Sequence, residues 1–223
     1  MIMKINKNWL RAMGLLGLLG GLILFAGDML FYYDPNNTNL KLNMGNASDL
    51  RLMLSGISAL LASWFYLFGL GQVYYAFEPT KPVVRNTVLV SFAGILISYG
   101  IIHAAYIGIA VTAKLAVQNQ LDIEIATALA TDINQVLRLF IYPIFALLSG
   151  LFIYQVWKKK TLYPRWIILF FPLTPFLFQG IIGNYLSGSI RIVIMGGFLN
   201  LILVLFFAAS TIALWNVSDK SKV

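Results

Sequence analysis

Asp28 and His103 are the two side chains of this sequence whose types and setting could carry chemistry. Each is ionisable, and each lies inside a long apolar run, where an unpaired charge is costly and a retained one is often functional. Asp28 stands in LFAGDMLFYY, and His103 is the only histidine. A carboxylate beside an imidazole orients the ring and fixes its tautomer. Such a pair can anchor a polar ligand, or share acid–base work if both lie within ~3 Å of a reacting group or a water. Stepping back from Asp28 by helical intervals gives Leu24, Gly21, Gly20 and Gly17 on one face. Gly17 and Gly21 form a G-x-x-x-G pair, which lets another helix approach closely. Asp28 is therefore expected inside a helix bundle, with His103, Tyr106 or an arginine as partner.

Other rare polar residues stand at a comparable depth. Tyr99, Gly100 and Tyr106 share a helical face with His103, and Asn200 shares one with Gly196 and Gly197. Gln179 and Asn184 occupy one half of the fifth apolar segment, and Arg51, Arg138 and Arg191 stand where the second, fourth and sixth begin. Hydrocarbon penalises these groups unless they meet each other, water or a ligand. Asp28, His103, Gln179 and Asn200 are accordingly expected to approach one cavity, with Tyr99, Tyr106, Asn184, Arg138 and Arg191 as further lining candidates. The competing readings are structural. Asp28 could sit at the headgroup boundary, His103 could be a core histidine bonded to a tyrosine or to backbone, and the arginines could pair with Asp49 and Asp132. A Ser–His–Asp series can be assembled from Ser55 or Ser58 with His103 and Asp28, but serine is common at helix interfaces, and Ser55, Ala59, Ala62, Tyr66 and Gly69 read more simply as a packing face. No G-x-S-x-G, H-E-x-x-H or P-loop occurs.

The elements that must position these residues follow from composition. Of 223 residues, 60% are hydrophobic and 11% charged, with a mean hydropathy of +0.82. A soluble domain carries about 25% charged residues. Six apolar runs, near 9–33, 52–77, 88–110, 136–157, 166–185 and 192–215, predict an all-α polytopic membrane protein forming one six-helix domain over 1–223. The first run exceeds a signal-peptide core and lacks an A-x-A site, so it reads as a retained helix. Pro172 and Pro175 should kink the fifth run or leave backbone groups for neighbours to satisfy. The segment 113–135 is more polar and reads as an interfacial helix or an extension of the third span. The Asn-rich segment 34–50 reads as irregular. Spans one to three and four to six show no inverted repeat of the transporter kind.

Charge sets the orientation. Lys4, Lys7, Arg11, Lys81, Arg85, Lys158, Lys159, Lys160, Arg165, Lys220 and Lys222 fall on one side, while Lys41, Arg51, Lys114, Arg138 and Arg191 fall on the other. The split, eleven to five of the sixteen basic residues, places both termini in the cytoplasm. Trp9, Trp157, Trp166 and Trp215 fall at the same helix ends, as an aromatic belt would. The net charge of +8 is thereby assigned to topology and anionic lipid, and nucleic acid is not an expected partner. Cysteine is absent, so there is neither a disulfide nor a thiolate metal site. A single histidine argues against a zinc site, and no cofactor or metal is expected.

The segments FAGDMLFYY, TLYPRW and GGFLN with STIALW resemble a family of bacterial multi-span membrane proteins with no assigned activity. The resemblance covers nearly the whole chain. It implies a bacterial cytoplasmic membrane and brings no substrate, cofactor or catalytic residue. The leading expectation is a protein that binds or moves a small amphipathic molecule or lipid through an outward-facing polar pocket. One rival is an intramembrane enzyme with Asp28 and His103 as its acid–base pair, and another is a non-catalytic assembly or sensory subunit. Membrane lipids are the expected partners, and the sequence sets no oligomeric state.

Overall fold

The computed structural model describes residues 5–216, so Lys4, Lys220 and Lys222 lie outside the described residues. The described chain folds as α1 (Lys7–Tyr32), α2 (Leu40–Asn46), α3 (Asp49–Ala76), α4 (Pro82–Gln118), α5 (Ile123–Trp157), a 3-10 turn (Arg165–Phe170), α6 (Leu173–Leu177), α7 (Gln179–Tyr185), α8 (Gly188–Gly196) and α9 (Phe198–Leu214). No strand occurs among the described residues. Asn6, Asn39, Ser48 and Asp122 start α1, α2, α3 and α5 by accepting a backbone N–H within the first turn. Pro82 opens α4 at a position where its missing N–H costs nothing.

Four helices (α1, α3, α4 and α5) are long and apolar enough to cross a membrane, and α8 with α9 makes a fifth if that pair, bent by 64°, is one span. Large apolar side chains such as Leu60, Trp64 and Phe68 point outward from α3. An outward apolar surface of this kind suits lipid and suggests a membrane protein.

Three expectations about the elements are corrected. The run 166–185 is not one helix but a 3-10 turn and two short helices. Pro172 and Pro175 remove two amide donors there and crowd the preceding carbonyls, so no continuous ladder forms. The segment 34–50 is not wholly irregular, because Asn39 caps a short helix, α2, and Asn43 bonds back to the carbonyls of Tyr32 and Asn37. The polar segment 113–135 is divided: its first part extends the third apolar run as the end of α4, as expected, but its second starts α5. At ~55 and ~52 Å, α4 (37 residues) and α5 (35 residues) exceed a ~30 Å hydrocarbon core. Their joined tips carry the surplus, with α2 packed on α4. Lys41–Glu124 and Lys114–Asp49 ion pairs tie α2 and the start of α3 to these tips.

The core sits where small residues let backbones meet. α1 packs against α3 and α9. A Cβ added at Gly69 would lie 2.6 Å from the Gly17 Cα, and one at Gly21 would lie 2.6 Å from a Val204 methyl and 3.4 Å from the Asn200 carbonyl oxygen. Toward the lysine-rich end the bundle is filled by Phe92, Phe152, Phe171 and Phe206, with Phe152 and Phe171 stacked at 4.2 Å. A buried polar set around Asp28 and His103 lies toward the other end.

Candidate functional site

Asp28 and His103 each stand 21 residues from the start of their helices, counted from Lys7 and from Pro82. Both helices begin at the lysine-rich end, so both side chains reach ~32 Å along the bundle. His103 Nδ1 lies 3.0 Å from Asp28 Oδ1, and Asn200 Nδ2 donates to Asp28 Oδ2 at 2.6 Å. The close approach of α9 to Gly21 brings Asn200 over the carboxylate. The Tyr66 hydroxyl donates to Asn200 Oδ1 at 3.4 Å. All four residues are buried.

The other ring nitrogen of His103 faces α3. Nε2 lies 2.8 Å from Ser55 Oγ and 3.1 Å from the Ser55 carbonyl oxygen. With Nδ1–H donated to Asp28, a neutral ring accepts the Ser55 hydroxyl at Nε2, and a doubly protonated ring donates Nε2–H to the carbonyl. His103 Nε2 therefore has a partner in either state, although protonation there takes away the acceptor of the buried Ser55 hydroxyl. The order Ser55–His103–Asp28 has the connectivity of a catalytic triad. Access is the difference. Ser55 is fully buried and is not on the wall of the cavity that His103 lines. The α1 backbone packs closely on the neighbouring Ser58 and the His103 ring, since a Cβ at Gly27 would collide with Ser58 Oγ and come within 3.4 Å of His103 Cε1.

His103 and Asp28 themselves line a cavity of about 190 Å³, together with Tyr32, Tyr99, Tyr106, Arg138, Gln179 and Asn200. Seven of the nine candidates named from the sequence thus share one cavity. Asn184 and Arg191 are the exceptions and are corrected: both are exposed and neither lines it. In α7 it is Gly183 that packs inward, under Met195, which turns Asn184 outward. The short α8 presents Ile192 to the core and leaves Arg191 outside.

Arg138 is half-buried at the cavity rim. Its Nε donates to Asn134 Oδ1 at 3.0 Å, one turn earlier on α5, and an Nη2 hydrogen goes to the Tyr106 hydroxyl at 2.9 Å. Asn134 is fixed in turn by donating to the Ile102 carbonyl. Arg138 has no carboxylate within ion-pairing distance among the described residues, so the expected pairing of the arginines with Asp49 and Asp132 does not occur there. Asp49 is taken by Lys114. Arg51 instead donates to the carbonyls of Met29 and Tyr33, closing the C-terminal turn of α1.

Sequence reasoning missed Asn134, Tyr66 and Tyr32. Only the four-residue spacing of Asn134 and Arg138 signalled one of them. It also missed a second buried network toward the lysine-rich end. Gln72 donates to the Leu10 carbonyl at 2.8 Å and accepts from Ser210, which meets the Tyr163 hydroxyl at 2.7 Å. That network is closed on itself and joins α1, α3, α9 and the segment after α5. No group of three or more His, Cys, Asp or Glu side chains suited to a metal occurs among the described residues.

No curated protein and no solved structure matches the chain. A family model does, over residues 3–217. The match spans nearly the whole length and agrees with the resemblance to a family without assigned activity. By that match, the chain belongs to a family of unknown function (DUF6796).

Proposed function

We propose that this chain is a multi-pass protein of a bacterial cell membrane, with both termini cytoplasmic, that binds or moves a small amphipathic molecule or lipid through its polar cavity. One observation carries the reading. A cavity walled by the Asp28–His103–Asn200 set and by Arg138 lies at the depth where an apolar bundle meets its polar end. A protein that needed these groups only for packing gains nothing by leaving about 190 Å³ beside them, because voids cost contacts. The lysine-rich end supports the orientation. The broken segment from Arg165 to Tyr185 supports a fifth crossing and the bent α8–α9 pair a sixth, since Arg165 follows the lysine cluster while Gln179 reaches the cavity. Irregular backbone at membrane depth is tolerated where it lines a cavity.

The test is occupancy of the purified full chain. Native mass spectrometry of protein extracted in mild detergent is expected to show a retained amphipathic species. Leu199→Trp, which fills the cavity from its half-buried wall, should lose it while keeping the helical signal. Equal retention in both proteins would refute the reading.

A second reading rests on the Ser55–His103–Asp28 connectivity, which supports an intramembrane acid–base enzyme. It requires α1 to move off Ser58. Labelling of Ser55 by a fluorophosphonate, abolished in His103→Leu, would favour it over simple binding.

A further inference from the structure

We infer that the occupant is a lipid with an anionic phosphate headgroup held at Arg138 and an acyl chain running down α5; the inference deepens the proposed function and rests on it. Two observations carry it. The first is the state of Arg138. Its Nε and one Nη2 hydrogen are committed to neutral partners, and no carboxylate pairs with it among the described residues. Arg138 lines the cavity, and the remaining donors of its planar fork are of the kind that suits an oxygen anion. Asp28 in the same cavity attracts Arg138 through space but makes no contact with it, its oxygens being engaged by His103 and Asn200.

The second is continuity. The polar cavity shares Ile102, Arg138 and Leu199 with a small apolar one of about 40 Å³. That one shares Tyr142, Phe145 and Phe176 with a groove of about 620 Å³ between α5 and α6. The groove descends past Ala146, Gly150 and Ile153 to Trp157. From Arg138 to Trp157 is 19 residues of one helix, ~28 Å, close to the ~30 Å thickness of a hydrocarbon core. With Trp157 at one interface, Arg138 stands at the opposite headgroup level. A phosphate there keeps its ordinary depth, and its acyl chain enters the groove without leaving hydrocarbon. A packed partner helix would fill the groove but would leave the Arg138 fork unused.

Gly150 makes the tail path separately testable. A Cβ added there meets nothing within 4 Å, so a large side chain enters the groove and not the protein. The experiment compares retention of phosphatidic acid, phosphatidylcholine with the same acyl chains, and inorganic phosphate by the full chain in neutral detergent. Native mass spectrometry gives the readout, and a circular-dichroism melt checks folding. The wild type should keep phosphatidic acid about tenfold better than phosphatidylcholine, the ratio one charge-assisted contact supports, and should not hold inorganic phosphate alone. Arg138→Gln should erase the preference while some binding of both lipids remains. Gly150→Phe should weaken both lipids about tenfold. A preference that survives Arg138→Gln overturns the headgroup assignment, and undiminished binding by Gly150→Phe overturns the tail path. Retention of inorganic phosphate as strong as that of lipid shows an anion site without a lipid. If Leu199→Trp abolishes binding while either of the other two variants is silent, the cavity reading stands and this inference alone fails. If Leu199→Trp changes nothing, both fail.

Discussion

At the scale of single residues, an imidazole, a carboxylate and an amide form a hydrogen-bonded chain across three helices. Removing one member leaves a buried partner unsatisfied, which costs more than the contact itself contributes. Asp28→Leu and His103→Leu are each expected to destabilise the protein in detergent by ~2 kcal/mol. The double variant should cost ~1–2 kcal/mol less than their sum, because neither side chain is then orphaned. Strict additivity in thermal or SDS unfolding would show that the two do not depend on each other. Asp28, His103 and Asn200 were legible in the sequence because a polar residue inside an apolar run must meet something. Ser55 was named beside them but could not be told from Ser58 or from an ordinary interface serine, and Gln72 was not legible, since a lone amide between Gly71 and Val73 gives no hint of which helix it meets. The pairing of Arg138 with Tyr106 instead of an acid was hidden as well, since helix neighbours are not written in one segment's pattern.

At the scale of elements, glycine decides which helices meet. A methyl at Gly69 lies 2.6 Å from Gly17 Cα, backbone that cannot yield, whereas one at Gly150 meets nothing within 4 Å. Gly69→Ala should therefore separate α1 from α3 and cost ~1–3 kcal/mol. Gly150→Ala should be neutral or stabilising by up to ~1 kcal/mol, from reduced backbone freedom. Melting temperatures that fall equally in both would contradict this packing. The G-x-x-x-G face of α1 was readable from its spacing, and so was the apolar face of α3. The fate of the fifth run was only half readable. Pro172 and Pro175 predicted a kink, but a break into three short pieces depends on the 3-10 turn's fit against α9, which is a tertiary matter. The helices flanking residues 119–122 outgrew the apolar runs for a related reason, since hydropathy marks the lipid-facing length and not where the backbone ladder stops.

At the scale of the whole molecule, one end is aromatic-packed and lysine-rich, and the other is polar, with a cavity and projecting helix tips. The charge asymmetry predicts that a single cysteine at Lys159 is shielded from an impermeant maleimide in intact cells, while one at Asn37 reacts; the reverse pattern would invert the bundle. The central claim is that the cavity exists to hold a guest. An experimental density map of the full chain purified in mild detergent tests this most directly. The expected result is an elongated density with its head among Asp28, His103, Asn200 and Arg138 and its tail along α5 past Gly150. A map in which Arg138 folds onto a carboxylate and the space beside His103 has collapsed would contradict it.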